Sequence, residues 1–201
     1  MITVLGRSEA TLTMITDNLE SSKWFTEIKI INNLKRTTTT QYINEKFEYS
    51  EAYELDTKEG YFIIGATKPE NKITIYESFG VPDQEFINVI HRSSQISSTV
   101  RLGKGIIINS LVSIAAHTKV GYHVTINRHS SIGHHSKIEN FATIGPGCSI
   151  GSNVKIGEAT TIGMGTTIRD GVIIGSNCSI GMGSTVLGNV PDNTKIYGLI
   201  K

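Results

Sequence analysis

Three of the six histidines in this chain fall within the seven residues from His129 to His135, in the stretch INRHSSIGHHSKI that runs from Ile126 to Ile138. Imidazole is both a general base whose ordinary proton affinity lies close to physiological pH and a common metal ligand. Such a cluster can therefore be a base with bystanders, a metal site, or decoration on a repeat. Four of the histidines, His117, His123, His129 and His135, recur every six residues, while His134 breaks that series. The two cysteines, Cys148 and Cys178, show neither CxxC spacing nor a disulfide framework, which fits a reducing compartment and no structural zinc.

The elements that hold these histidines are legible from a six-residue period. From Ile96 to Val186 an aliphatic residue returns at every sixth position, sixteen times in sixteen, through Leu102, Ile108, Ile114, Val120, Ile126, Ile132 and onward. Four residues after each comes a small or β-branched residue, a column that contains both Cys148 and Cys178 and so gives them a packing role. A helix needs a period near 3.6 and an open sheet a period of 2, so a strict six predicts short strands joined by corners in a β-solenoid.

This pattern resembles the hexapeptide-repeat, left-handed parallel β-helix family, whose repeat reads aliphatic-Gly-x-x-small-x. The resemblance implies three hexads to a triangular coil, so that residues eighteen apart stack at roughly the 4.7 to 4.9 Å spacing of neighbouring strands. Ile132, Ile150, Ile168 and Val186 then form one interior column, and Ile126, Ile144, Ile162 and Ile180 another. Each buried Ile contributes about 1.5 to 3 kcal/mol relative to exposure, so a slipped register is costly. The periodic histidines are expected at outward-facing corners, with only His117 and His135 in one stack.

Before the repeat the pattern changes. MITVLG and FTEIKIINN read as strands, SEATLTMITDNLES as a helix with Leu12, Ile15 and Leu19 on one face, GYFIIGA as a strand, KPENKITIYESFG as a helix and EFINVIH as a strand leading into the solenoid. TTTTQYINEKFEYSEAYELD is polar enough to read as partly loop. The expected organisation is a small α/β, reduced Rossmann-like domain over 1–90 and a left-handed β-helix acyltransferase domain over 91–201, with ligand near Gly6 to Glu9 and Gly65 to Lys68, where an open α/β sheet binds.

That layout resembles the sialic acid O-acetyltransferase and the bacillosamine and perosamine N-acetyltransferase family. In the matching stretch the family has Ile-Asn followed six residues later by Ile-Gly-His-Asp, whose His is the general base, so the resemblance implies His134 as base. It implies the Ser152 backbone N–H, one coil beyond, as oxyanion donor where the family often has Gly. Gly163, Gly165, Gly181 and Gly183, in the two GMG stretches, resemble the residues along which pantetheine lies, and Lys195 and Lys201 resemble contacts to the CoA phosphates. Asn127 and His129 fall where the sugar is expected, and Gly6 and Arg7 in the first turn. The chain departs from the family in two places. GRSEAT has Gly6 alone where a G-x-G-G-x-G turn is usual, and His135 replaces the Asp after the base. His135 then becomes a possible assistant, and Glu139 or a residue of a neighbouring subunit a candidate orienting carboxylate.

The activity implied is acetyl transfer from acetyl-CoA to an amino or hydroxyl group of a sugar, with a nucleotide-linked amino sugar favoured, in a homotrimer serving bacterial surface-polysaccharide synthesis, and with no metal. Sialic acid O-acetylation is the alternative. Two further classes use such a solenoid: a γ-carbonic-anhydrase-like metalloenzyme, since His129 and His134 sit five apart, and a non-catalytic scaffold. The first lacks a matching upstream histidine, because His91 precedes the repeat; the second lacks regular threonine ladders. Nineteen Lys and Arg against eighteen Asp and Glu leave a net charge of +1, which favours neither nucleic acid nor a membrane surface as partner. The absence of a signal-like apolar run predicts a cytoplasmic protein.

Overall fold

The computed structural model describes residues 1–6, 8–22, 27–31, 48–52 and 54–201. Its N-terminal layer is a four-stranded parallel sheet formed by β1 (Ile2–Leu5), β2 (Glu27–Ile31), β3 (Glu48–Ala52) and β4 (Phe62–Ile64), in the order β3-β2-β1-β4. Helix α1 (Glu9–Ser22) packs Leu12, Ile15 and Leu19 against Ile2, Val4, Ile28, Ile30 and Ile63 on one side of the sheet. On the other side, Ile75 of helix α2 (Pro69–Phe79) joins Leu5, Ile31, Phe62, Ile64 and Phe86. Pro69 starts α2, where its missing N–H costs nothing, and Gly80 ends it in the left-handed conformation at φ 55°.

Strand β3 falls inside the stretch read as partly loop, of which 37–47 and 53 lie outside the described residues. It pairs with β2 residue by residue from Glu27↔Glu48 to Ile31↔Ala52. An edge strand is held by backbone hydrogen bonds, which a polar run such as EYSEA does not announce in its side chains.

The rest of the chain is a triangular parallel β-solenoid. Its three faces contain seven, seven and five two-residue strands, and each face is named here by its outward residues. The threonine face places Ile107, Thr125, Thr143, Thr161 and Ser179 outward; the serine face Ser113, Ser131, Ser149, Thr167 and Thr185; the lysine face Arg101, Lys119, Lys137 and Lys155. Both expected interior columns form in register, Ile132↔Ile150↔Ile168↔Val186 and Ile126↔Ile144↔Ile162↔Ile180. The aliphatic and small columns together make one buried core from Ile106 to Val190.

The small interior column accepts Ser, Thr and Cys because their polar side chains find backbone carbonyls, in most coils fifteen residues on. Ser130 donates to Gly145 O at 2.9 Å, Ser136 to Gly151 O at 3.1 Å and Thr160 to Gly175 O at 2.7 Å. Cys148 and Cys178 are buried on this column as free thiols, and Cys148 Sγ lies 3.1 Å from Gly163 O. Burial pushes the Cys148 thiol up, away from the reactive thiolate.

The first rung is Val89–Ile90, which pairs with Ile107–Ile108, so the segment read as leading into the solenoid already belongs to it, and His91 sits on its first corner. The last coil is shorter than the others. Ile180 pairs with Ile196 and Val186 with Ile200, so the eighteen-residue spacing shrinks to sixteen and fourteen. No helix among the described residues is long and apolar enough to cross a membrane.

Candidate active site at the histidine corner

Each coil turns three corners, and the third residue of many corners adopts a positive φ. His117, His123, His129 and His135 all occupy this position at φ between 55° and 60°, in company with Asn153, Asn177 and several glycines. Histidine and asparagine are among the non-glycine residues that tolerate this region best, so the six-residue series of histidines follows from corner geometry. His134 precedes the positive-φ position and does not share that explanation.

His134 and His135 lie exposed on the corner between the serine and lysine faces, following Ser131–Ile132. Their Nδ1 atoms are 3.0 Å apart, within hydrogen-bond range, with the rings perpendicular. Such a contact requires one Nδ1 to donate and the other to accept. The expected stack also forms: the rings of His117 and His135 have centroids 4.8 Å apart. The structure thus joins three histidines in the order His117, His135, His134. Glu139 turns away from them and pairs with Lys137 at 2.6 Å and Lys155 at 3.9 Å, so it does not orient His134.

Three sequence expectations need correction. The Ser152 backbone N–H, one coil beyond His134, already donates to the Asp170 carboxylate, so it presents no free donor to an oxyanion. The same device recurs where Tyr122 N–H donates to Asn140 Oδ1 at 2.9 Å and Ser176 N–H to Asp192 Oδ1 at 2.7 Å. Eighteen-residue arithmetic from Ser152 would have found Asp170.

Asn127 is buried in a ladder and does not face a substrate. Asn18 of α1 donates to Asn109 Oδ1 at 3.0 Å, Asn109 to Asn127 Oδ1 at 3.1 Å, and Asn127 to Ile144 O at 2.9 Å. It ties α1 to the corner between the threonine and serine faces.

His123 does not point outward. It is 1% exposed and packed among Phe86, Tyr76 and Phe141, with centroids at 4.6, 5.0 and 5.1 Å, because α2 and the segment after it cover this corner. Neither ring nitrogen has a hydrogen-bond partner, and burial pulls its pKa down to about 4, leaving it neutral. Directly beside it lies a residue the sequence did not single out. Lys72 of α2 is 2% exposed and donates to His123 O, Ala142 O and Thr143 Oγ1 at 2.9, 3.1 and 3.0 Å. Burial lowers its pKa to about 7.

His129 stays exposed on the next corner, away from His134. Gly163, Gly165, Gly181 and Gly183 stack on that same type of corner. Gly165 and Gly183 have φ of 67° and 66°, and a Cβ on Gly163 would collide with the backbone of Met182. Beside them Met164, Met182 and Tyr197 form an apolar strip, respectively 52%, 71% and 75% exposed. Lys195 and Lys201 flank Tyr197 and Gly198 in the last coil. Gly6 takes φ 85° at the end of β1 and donates its N–H to Ile31 O at 2.9 Å, while Arg7 lies outside the described residues. Among the described residues no group of three His, Cys, Asp or Glu side chains converges to hold a metal ion.

Fold and repeat define a parallel β-solenoid of the hexapeptide type with a small α/β layer at its N-terminal end. The family model described as "Bacterial transferase hexapeptide (six repeats)" matches residues 129–158 and 153–188. No curated protein sequence matches the chain.

Among solved structures, the acetyltransferase domain of PglB from Neisseria gonorrhoeae in complex with acetyl coenzyme A is similar over 98% of this chain and 95% of its own, at 19% identity and a TM-score of 0.85. A histidine-to-asparagine mutant of perosamine N-acetyltransferase from Caulobacter crescentus, in complex with CoA and GDP-perosamine, is similar over 98% of this chain and 92% of its own, at 19% identity and a TM-score of 0.81. WeeI from Acinetobacter baumannii matches 98% of this chain and 96% of its own at 20% identity and a TM-score of 0.80.

Proposed function

We propose that the chain is an acyl-CoA-dependent sugar acetyltransferase whose acceptor is a nucleotide-linked amino sugar of bacterial surface-polysaccharide synthesis. The observation that carries this reading is the exposed His134 ring held by His135 through their Nδ1 atoms at 3.0 Å. With the His134 Nδ1–H donating, its Nε2 keeps the lone pair. Nε2 takes the proton of the acceptor amine as that amine attacks the acetyl thioester carbonyl. The tetrahedral intermediate then expels CoA, and the imidazolium returns the proton to the departing thiolate. The solved relatives support the choice of substrates, since their complexes hold acetyl coenzyme A in one case and CoA with GDP-perosamine in another.

The glycines Gly163, Gly165, Gly181 and Gly183, with the apolar strip Met164, Met182 and Tyr197, suit the apolar arm of CoA, and Lys195 and Lys201 its phosphates. That corner is a different edge of the prism from the one bearing His134. A site using both needs a second copy of the chain, in keeping with a homotrimer that has one site at each junction. Acetyl-CoA as donor fits a cytoplasmic enzyme.

The test is acetyl-CoA turnover, read as free thiol, against nucleotide-linked 4-amino sugars and free sialic acid. One acceptor should drive thiol release, and His134→Ala should lose about a hundredfold or more, as expected when a general base is removed. Wild-type turnover by His134→Ala, or no turnover with any acceptor, would sink the reading. A sialic acid acceptor would move it to O-acetylation.

A further inference from the structure

The lysine face has an imbalance of charge that the histidine site does not explain. Arg101, Lys119, Lys137 and Lys155 stand one above another in register, each pair on neighbouring strands roughly 4.7 to 4.9 Å apart. Like charges directly opposite across a strand pair are destabilising unless something neutralises them. Lys137 and Lys155 share Glu139, at 2.6 and 3.9 Å. Arg101 and Lys119 have no such carboxylate: among the described residues no ion pair reaches either, and the corresponding position in their coil is Gly121.

These two unneutralised cations line a groove of about 470 Å³ with Ser98, Thr99, Val100 and His117. Its rim offers hydroxyl groups as well as positive charge. Ser97 and Thr99 share a hydrogen bond at 3.1 Å, and Thr99 Oγ1 accepts the His117 N–H at 2.9 Å, so the corner is braced. His117 in turn stacks on His135, which touches His134. The groove therefore adjoins the proposed base through two rings.

We infer that this groove binds the diphosphate of a substrate, with Arg101 and Lys119 supplying positive charge that Glu139 does not neutralise at this end of the ladder. A guanidinium offers paired donors to phosphate oxygens, an ammonium adds a point charge beside it, and the two together match a group with two or more negative charges. The sugar acceptor and CoA both contain such a group. The naming of these two sources rests on the proposed function; the binding of a diphosphate does not.

The experiment is calorimetric titration of the intact protein with inorganic pyrophosphate, GDP, UDP and CoA, for wild type, an Arg101→Ala/Lys119→Ala variant and a Lys137→Ala/Lys155→Ala variant. All altered side chains lie on the solvent side of the solenoid, and thermal melts check that both variants fold as wild type does. The first variant should weaken at least one diphosphate by about tenfold or more, the second by less than about threefold, since charge-assisted contacts are lost only in the first. Loss confined to GDP or UDP assigns the groove to the acceptor; loss confined to CoA assigns it to the donor. Equal weakening in both variants would reduce the groove to a diffuse field of positive charge and overturn the inference, as would unchanged binding in the first. If no sugar is acetylated while diphosphate affinity still depends on Arg101 and Lys119, the proposed function fails and the groove stands.

Discussion

At His134 the feature that matters is an imidazole partner where a carboxylate would be expected. A carboxylate can only accept the Nδ1 proton, so it fixes the tautomer that leaves Nε2 free; His135 can accept or donate and fixes it less firmly. His135→Leu should therefore lower kcat/KM by roughly fivefold, the worth of about 1 kcal/mol for one neutral hydrogen bond, while His135→Asp should equal or exceed wild type. Steady-state kinetics on both variants checks this; an inactive His135→Asp with an active His135→Leu would mean that His135 does not position the base.

The residue scale also separates what sequence could and could not yield. The six-residue series of histidines, the stack of His117 on His135 and the burial of both cysteines follow from period alone, because the repeat dictates their corners. The fate of His123 does not, since the same corner position is exposed at His117 and His135 and buried at His123 only because α2 covers it. Asn127 escaped for the same reason: its partner, Asn109, is eighteen residues away in the repeat, but the residue that completes the ladder, Asn18, belongs to α1.

At the scale of elements, the seam between α2 and the solenoid is built around two groups that bury no charge willingly. Lys72 has its pKa lowered to about 7 and His123 to about 4, both chiefly by burial. A depressed value in the folded state means that the unfolded chain binds the proton more readily, so each group's contribution to stability is full above its ordinary value and is lost as pH falls. For Lys72 the loss runs from its ordinary value of 10.5 down to about 7, and for His123 from 6.5 down to about 4.

Denaturant unfolding should therefore show wild type losing stability between pH 10 and 7 more steeply than Lys72→Met, and between pH 6.5 and 4 more steeply than His123→Phe. Phe is admissible at this left-handed corner, because Phe141 occupies the equivalent position one coil on at φ 59°. Parallel pH profiles for wild type and both variants would show that the seam opens to water before either group titrates. Strand β3 belongs to the same scale and teaches a complementary point: its pairing with β2 depends on backbone bonds and leaves little trace in a polar sequence.

For the whole molecule, the controlling number is the coil of eighteen residues, divided into three hexads. All three faces repeat the same two interior positions, one aliphatic and one small, so the core tolerates a shift by one hexad but not by one residue, which would place polar side chains inside and isoleucines outside. The functional corners are less forgiving. A shift by one hexad turns every later residue by one face of the prism. Deleting Gly151 alone should therefore destroy cooperative folding. Deleting the hexad 151–156 should leave a cooperative thermal transition and a strand-type circular dichroism spectrum.

The same hexad deletion moves Met164 from its exposed corner to the one where Ala159 and Asn177 now stand, near α2. The strip proposed for CoA is thereby displaced relative to His134, which lies upstream of the cut, and thiol release should be lost although the fold persists. Retained activity in the hexad deletion would mean that the Met164, Met182 and Tyr197 strip does not hold the donor. A folded single-residue deletion would mean that the interior columns do not set the register. The last coil offers the contrast that makes the rule physical. Its spacings of sixteen and fourteen already depart from eighteen while Ile180 keeps Ile196 and Val186 keeps Ile200 as partners, so removing one residue near Asn189 should cost far less than removing Gly151.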